Sequence, residues 1–215
     1  MEGLPFSKRL ELHALWLNTN EAEGARLDLS GRSMRNIHAP DAVLTGAKLN
    51  NADLRHDEMI GADFIGSDLR GADLRGAELE GADFSAASLK GVKFREANLD
   101  KANLEGAKLA FTDLRDATLS EANLMEADLM GAKLSGVNLN KANLRGASLC
   151  GADLSKAILT GTDFSYADLQ GSCFEEAKFD QDTKLSYAKV NPDDFRDLDL
   201  SALKTENLPA ELWGK

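Results

Sequence analysis

The feature that most restricts this chain is a beat of five. From Leu29 to Phe179 a large, inward-type residue recurs at every fifth position without a gap. Of these 31 centres, 22 are Leu, 6 are Phe and 2 are Met, and only Ala39 is small. Two residues before most centres stands a small residue, Ala in 21 of the 31 cases. Asp or Asn often lies between them and Gly is frequent two places after, as in Ala72-Asp73-Leu74-Arg75-Gly76. Such a period is neither helical nor that of a flat strand, so the chain has to be read as a repeat before anything else.

In extended backbone, residues two apart point to the same side. Ala72 and Leu74 therefore face one way, Asp73 and Arg75 the other. After about three residues the chain must turn, and Gly supplies a backbone that tolerates positive φ. Strand followed by corner winds the chain round an axis, with Ala and Leu inside and Asp, Arg and Gly outside. Each buried centre contributes roughly 1.5–3 kcal/mol before chain entropy is subtracted. Stability then comes from the stacking of neighbouring coils. Leu74, Leu104, Leu134, Phe64 and Phe84 are expected in that interior.

Units such as Ala52-Asp53-Leu54, Ala82-Asp83-Phe84, Ala102-Asn103-Leu104 and Ala142-Asn143-Leu144 resemble the pentapeptide-repeat family. The resemblance covers roughly three quarters of the chain. It implies an all-β fold, a right-handed quadrilateral β-helix with four units, or 20 residues, in each coil. The sequence carries its own sign of that turn. Arg35, Arg55, Arg75, Arg95 and Arg115 each follow a centre and are spaced by 20, as are Asn103, Asn123 and Asn143. Stacked coils place each set in a ladder of about 4.8 Å per step.

The expected division is an N-terminal capping helix and connector over 1–28, the β-helix over 29–190 and a C-terminal cap over 191–215. A solenoid end left open exposes unpaired backbone, so caps are needed. Phe6 to Leu17 reads as a helix with Ser7 as N-cap and a stripe of Leu10, Ala14 and Leu17. Trp16 reads as a capping contact. After Phe179 the beat slips by one, to Leu185, Val190, Phe195 and Leu200, so Asp182 to Lys184 must hold an extra residue. Asn191-Pro192-Asp193-Asp194 reads as a helix start. Leu203, Leu208, Leu212 and Trp213 then need either the last coil or a second subunit to pack on. In some members of the family a C-terminal segment makes a dimer, which keeps a homodimer through this end in view.

The first two coils are irregular. Arg32 takes an inward slot, Ile37 and Ala39 exchange large and small, and Asp57 stands where Ala belongs. An isolated carboxylate in a dry coil costs several kcal/mol. Either the backbone bulges there, or Asp57 meets Arg32 or a water. A ragged start shaped for the N-terminal helix explains these departures, and so does a partner-binding notch that includes His56 and Asp57. His38, His56 and Asp57 match no closed zinc set.

The net charge of -11 and pI near 4.8 argue against direct nucleic-acid binding or a polybasic membrane anchor. No apolar run is long enough to span a bilayer and no signal-peptide stretch opens the chain, so the cytoplasm is the expected location. Cys150 and Cys173 fall at outward slots on different sides of neighbouring coils, where free thiols are expected. No nucleophile–base pairing, phosphate-cradling loop or metal spacing is present, so no cofactor and no enzymatic activity is expected. An enzyme acting at Arg32, His56 and Asp57 is the weakest alternative.

On the walls, Asp53, Asp73 and Asp113 sit two residues before Arg55, Arg75 and Arg115, where charge compensation competes with a cationic stripe for an acidic partner. Acidic residues gather on the next sides, Glu58, Glu78, Glu80, Asp100 and Glu121, then Asp63, Asp83 and Glu105. Ile60 with Ile65 and Phe111 with Met130 are modest outward apolar pairs. The leading functional expectation is a protein-interaction or scaffold module with an unidentified protein partner. The alternative, implied by relatives that protect gyrase from fluoroquinolones, is a duplex-DNA mimic on a type II topoisomerase. About eight coils give roughly 40 Å of rod, a length over which DNA carries about 24 phosphates. A net charge of -11 is small beside that.

Overall fold

The structure is a computed structural model that describes residues 3–196, 198 and 200–212. Its body is a coil in which each residue before a centre makes a parallel bridge to the residue one coil on, from Asp28 with Lys48 to Ile158 with Lys178. One stretch shows the bonding. Leu104 N–H donates to the Asn123 carbonyl at 2.6 Å, and Asn123 N–H donates to the Ala102 carbonyl at 2.9 Å. At the corner, Ala107 N–H donates to the Leu104 carbonyl at 3.0 Å, closing a four-residue turn. The third residue of every such turn, from Gly31 to Glu176, has positive φ. With a corner every fifth residue, the walls are single bridged residues between turns, shorter than the three-residue segments the sequence suggested.

The interior is filled as expected. Leu74, Leu104, Leu134, Phe64 and Phe84 are all buried. Phe64 and Phe84 stack one coil apart with centroids 4.5 Å apart, and Phe94 meets Phe84 edge-on at 5.9 Å. Hydroxyl residues in the small inward slot find backbone carbonyls, either at their own corner or one coil back, as Thr162 does at Leu139. Ser67 donates its hydroxyl to the Phe64 carbonyl and Thr112 donates to that of Leu109.

The slip after Phe179 is real: Asp163 now pairs with Lys184, and Asp168 with Lys189, one residue further on. The Asp180 carboxylate organises the extra residue by accepting the N–H groups of Gly161, Asp182 and Thr183.

At the N-terminus, helix α1 spans Phe6–Asn18. Its N-cap is Pro5, whose extended ψ of 152° stops the helix, so Ser7 lies inside the first turn and is not the cap. The helix turns Phe6, Leu10 and His13 onto the core, with Ala14 and Leu17 half-buried, so the expected stripe is rotated toward His13. Gly24 lets the connector return beside the helix. A Cβ there would stand 2.3 Å from the Leu12 carbonyl oxygen, while Ala25 N–H donates to that same oxygen.

At the other end, Pro192–Phe195 is a 3₁₀ turn with Asn191 before it, shorter than the helix expected there. Leu203 and Leu212 are buried against the chain's own core and Leu208 packs on it, so these leucines do not themselves call for a second subunit. Trp213 lies outside the described residues. Among the described residues no helix is long and apolar enough to cross a membrane.

Candidate interaction surface

The coil brings Arg35, Arg55, Arg75, Arg95 and Arg115 into one column, because Ser33, Asp53, Asp73, Lys93 and Asp113 are bridged in series. Three of these arginines bind the carboxylate two residues earlier with two nitrogens. Arg55 reaches Asp53 (2.8 and 2.9 Å), Arg75 reaches Asp73 (2.8 and 2.7 Å) and Arg115 reaches Asp113 (2.7 and 2.6 Å). Arg35 crosses to Asp53 at 2.6 Å. Arg95 has Lys93 where Arg55, Arg75 and Arg115 have Asp, so it turns to Glu96 at 3.3 Å and Asp116 at 3.5 Å. Hydrogen bonding from Arg115 holds Asp113 below its ordinary value. At Asp73, partial burial pushes the pKa up, but the bonds and charge of Arg75 outweigh it and the result is lowered. The column is therefore a ladder of alternating charge and not a run of free cations.

Several carboxylates of the acidic walls are likewise engaged. Glu80 binds Lys101 at 2.7 Å, Glu78 accepts from Asn98, and Asp83 accepts from Ser85 and Asn103. Asn143 donates to Asn123 and Asn123 to Asn103, each at 3.2 Å, so the expected asparagine ladder is hydrogen-bonded along its length.

The irregularity of the first two coils is met by a backbone N–H and not by a bulge. His56 and Asp57 are neighbours that face opposite ways. His56 is exposed at a corner beside the arginine column, its ring lying over Gly76. Asp57 is 1% exposed and turned inward, so it cannot touch a partner and leaves the candidate surface. The backbone does not bulge: Glu58 keeps its bridges to His38 and Glu78. Asp57 Oδ1 accepts the Ile37 N–H at 2.9 Å, while Oδ2 is buried without a partner. Burial raises its pKa to about 7. Arg32 is exposed on the first coil. His38 binds Glu58 at 2.9 Å, away from His56, and no group of three metal-ligating side chains occurs among the described residues.

Two features were missed in the sequence. His13 is fully buried and its Nδ1 accepts the Leu27 N–H at 3.1 Å, with Trp16 stacked on it at 5.5 Å. Its place on the buried face of α1 was legible, but a histidine there carries no signal of its own. Tyr166 and Tyr187 stack at 5.0 Å, with Arg145 over Tyr166 at 5.4 Å. That contact was readable in principle, since both tyrosines stand two residues after a centre once the slip is counted. Cys150 and Cys173 are free thiols. Ile60, Ile65, Phe111 and Met130 are exposed as expected, and Phe111 covers Gly131.

The family described as pentapeptide repeats matches the chain in eight copies lying between residues 25 and 181. Among solved structures, HetL is similar: it is a pentapeptide repeat protein involved in heterocyst differentiation regulation, from the cyanobacterium Nostoc sp. strain PCC 7120. It is 30% identical, with 80% of this chain and 90% of HetL covered and a TM-score of 0.48. A trypsin-treated form of QnrB1, a plasmid-mediated fluoroquinolone resistance protein, is 21% identical over 78% of this chain and 92% of its own, with a TM-score of 0.64. A pentapeptide repeat protein from the Arabidopsis thaliana thylakoid lumen is 30% identical over 62% of this chain and 81% of its own, with a TM-score of 0.40. No curated protein matches the chain in sequence.

Proposed function

Because the chain belongs to the pentapeptide-repeat family, we propose that it is a non-enzymatic interaction module, a right-handed four-sided rod that presents ladders of side chains to a protein partner. The observation that carries this reading is the column from Arg35 to Arg115. Its guanidinium groups are held in line by paired carboxylates, so little conformational entropy remains to be lost on contact. His56 flanks the column and extends it. A partner wall of alternating charge would meet it in register, which favours specificity over raw affinity. The free Cys150 and Cys173 fit a reducing compartment such as the cytoplasm.

The test compares the immobilised chain with an Arg75→Glu/Arg115→Glu variant in a lysate of the native host. A protein held by the parent and released by the charge reversal supports the column as the contact. Equal retention by both discards it.

The acidic walls favour a second reading, a duplex-DNA mimic acting on a type II topoisomerase, in keeping with the fold shared with QnrB1. Adding the protein to purified DNA gyrase in a supercoiling assay separates the two. Unaltered supercoiling, with and without a fluoroquinolone, at micromolar concentration removes the mimic.

A further inference from the structure

Half a coil away from the arginine column, at the C-terminal end, a second feature stands by itself. Both tyrosines of the chain occupy left-handed corner positions, Tyr166 at φ 64° and Tyr187 at φ 59°. Bulky side chains rarely adopt that conformation. The extra residue near Asp180 brings Tyr187 beneath Tyr166, and the rings lie at 12° to one another. The guanidinium of Arg145 closes the upper end of the stack. The lower end is open: Tyr187 is 74% exposed and borders a cavity of about 700 Å³. Gln170, Lys189, Leu208, Glu206 and Glu211 also line it. Lys189 is engaged with Asp168 at 3.6 Å, whereas Glu206 and Glu211 have no ion pair among the described residues.

An aromatic ring beside two carboxylates selects a planar cation with several N–H donors. A guanidinium meets all three demands: it stacks, carries charge and bonds two-pronged to carboxylate. The chain already uses that chemistry at the other end of the same stack. We propose that the cavity beside Tyr187 receives the guanidinium group of an arginine side chain from a partner protein. The site is independent of the reading given to the arginine column.

Titration of the isotope-labelled full chain with the peptide acetyl-Gly-Arg-Gly-amide, followed by NMR, tests this. Saturable shifts are expected at Tyr187, Ser186, Glu206 and Glu211. The lysine peptide, which cannot stack as a plane, and the citrulline peptide, which is planar but neutral, should each bind at least about tenfold more weakly. Tyr187→Asn, a residue that suits the left-handed corner, should weaken the arginine peptide by about tenfold, and so should the doubly neutralised Glu206→Gln/Glu211→Gln. The two glutamates are exposed, so the second variant tests the site even if the first disturbs the corner. Absence of saturable shifts up to about 10 mM, equal binding of the lysine or citrulline peptide, or shifts centred elsewhere overturns the proposal. Shifts of these residues on raising protein concentration alone would mean that a second copy's arginine fills the cavity, and would overturn a foreign partner.

Discussion

Asp57 Oδ1 accepts the N–H of Ile37 at 2.9 Å, across the gap between the second coil and the first. At other corners that N–H donates to the carbonyl three residues back, as Ala42 does to Ala39 at 3.4 Å and Ala47 to Leu44 at 2.9 Å. The carboxylate thus stands in for a missing corner bond, at the cost of leaving Oδ2 buried and unbonded.

That arrangement makes the N-terminal end sensitive to base. Desolvation raises Asp57 from 3.8 to about 7, against the Ile37 N–H, which lowers it. The folded chain holds this proton where the unfolded chain has released it. Its contribution is complete below about pH 3.8 and is lost as the pH rises through about 7. Asp57→Ala restores the usual small residue. Thermal melts should show the variant more stable than the parent at pH 8 by about 1–3 kcal/mol, with the advantage shrinking toward pH 5. An unchanged difference between the two pH values would contradict the buried, ionisable carboxyl.

His13 tilts the same end the other way. Burial lowers its pKa below the ordinary 6.5, the nearby Thr45 carbonyl opposing and Arg26 assisting. The unfolded chain takes up this proton first, so the stability is present above pH 6.5 and is lost as the pH falls below it. Protection factors of amides in α1, taken relative to their intrinsic exchange rates, should fall on acidification from about pH 7 to 5 while those in the central coils hold steady. His13→Phe, which cannot titrate, should remove that dependence, though it also gives up the bond to Leu27.

Arg75 contributes little to folding. Its side chain is 44% exposed, and Asp73 also has Lys93 at 3.7 Å and Arg55 at 4.0 Å. Arg75→Ala should change the free energy of urea unfolding by about 0–1 kcal/mol. A loss of several kcal/mol would make the ladder structural and weaken its reading as a contact surface.

Leu104 is the opposite case. It is 0% exposed in the middle of the stack. Leu104→Asp would bury a charge without a partner, at several kcal/mol, and coils that depend on their neighbours should fail together. Calorimetry should show a much lower midpoint or no cooperative transition, and a melt like the parent's would refute the winding.

The sequence by itself determined the winding, the Ala–Leu interior, the one-residue slip and the columns on the walls. Side-chain alternation and a corner every fifth residue leave a coiled chain no other regular way to bury its centres. It also pointed to the three bidentate Arg–Asp pairs, which are local in sequence. Tertiary structure decided the rest. It sent Arg95 to Glu96 and Asp116, set His13 inward beneath the Leu27 N–H, gave Asp57 to Ile37 and stacked Tyr187 on Tyr166. The reason is that a repeat specifies its interior, where every coil has two neighbours. At the ends one neighbour is missing, and a polar group there depends on whichever non-repeating segment folds across it; on the walls, as at Arg95 beside Lys93, a broken local pair sends the side chain to the next coil.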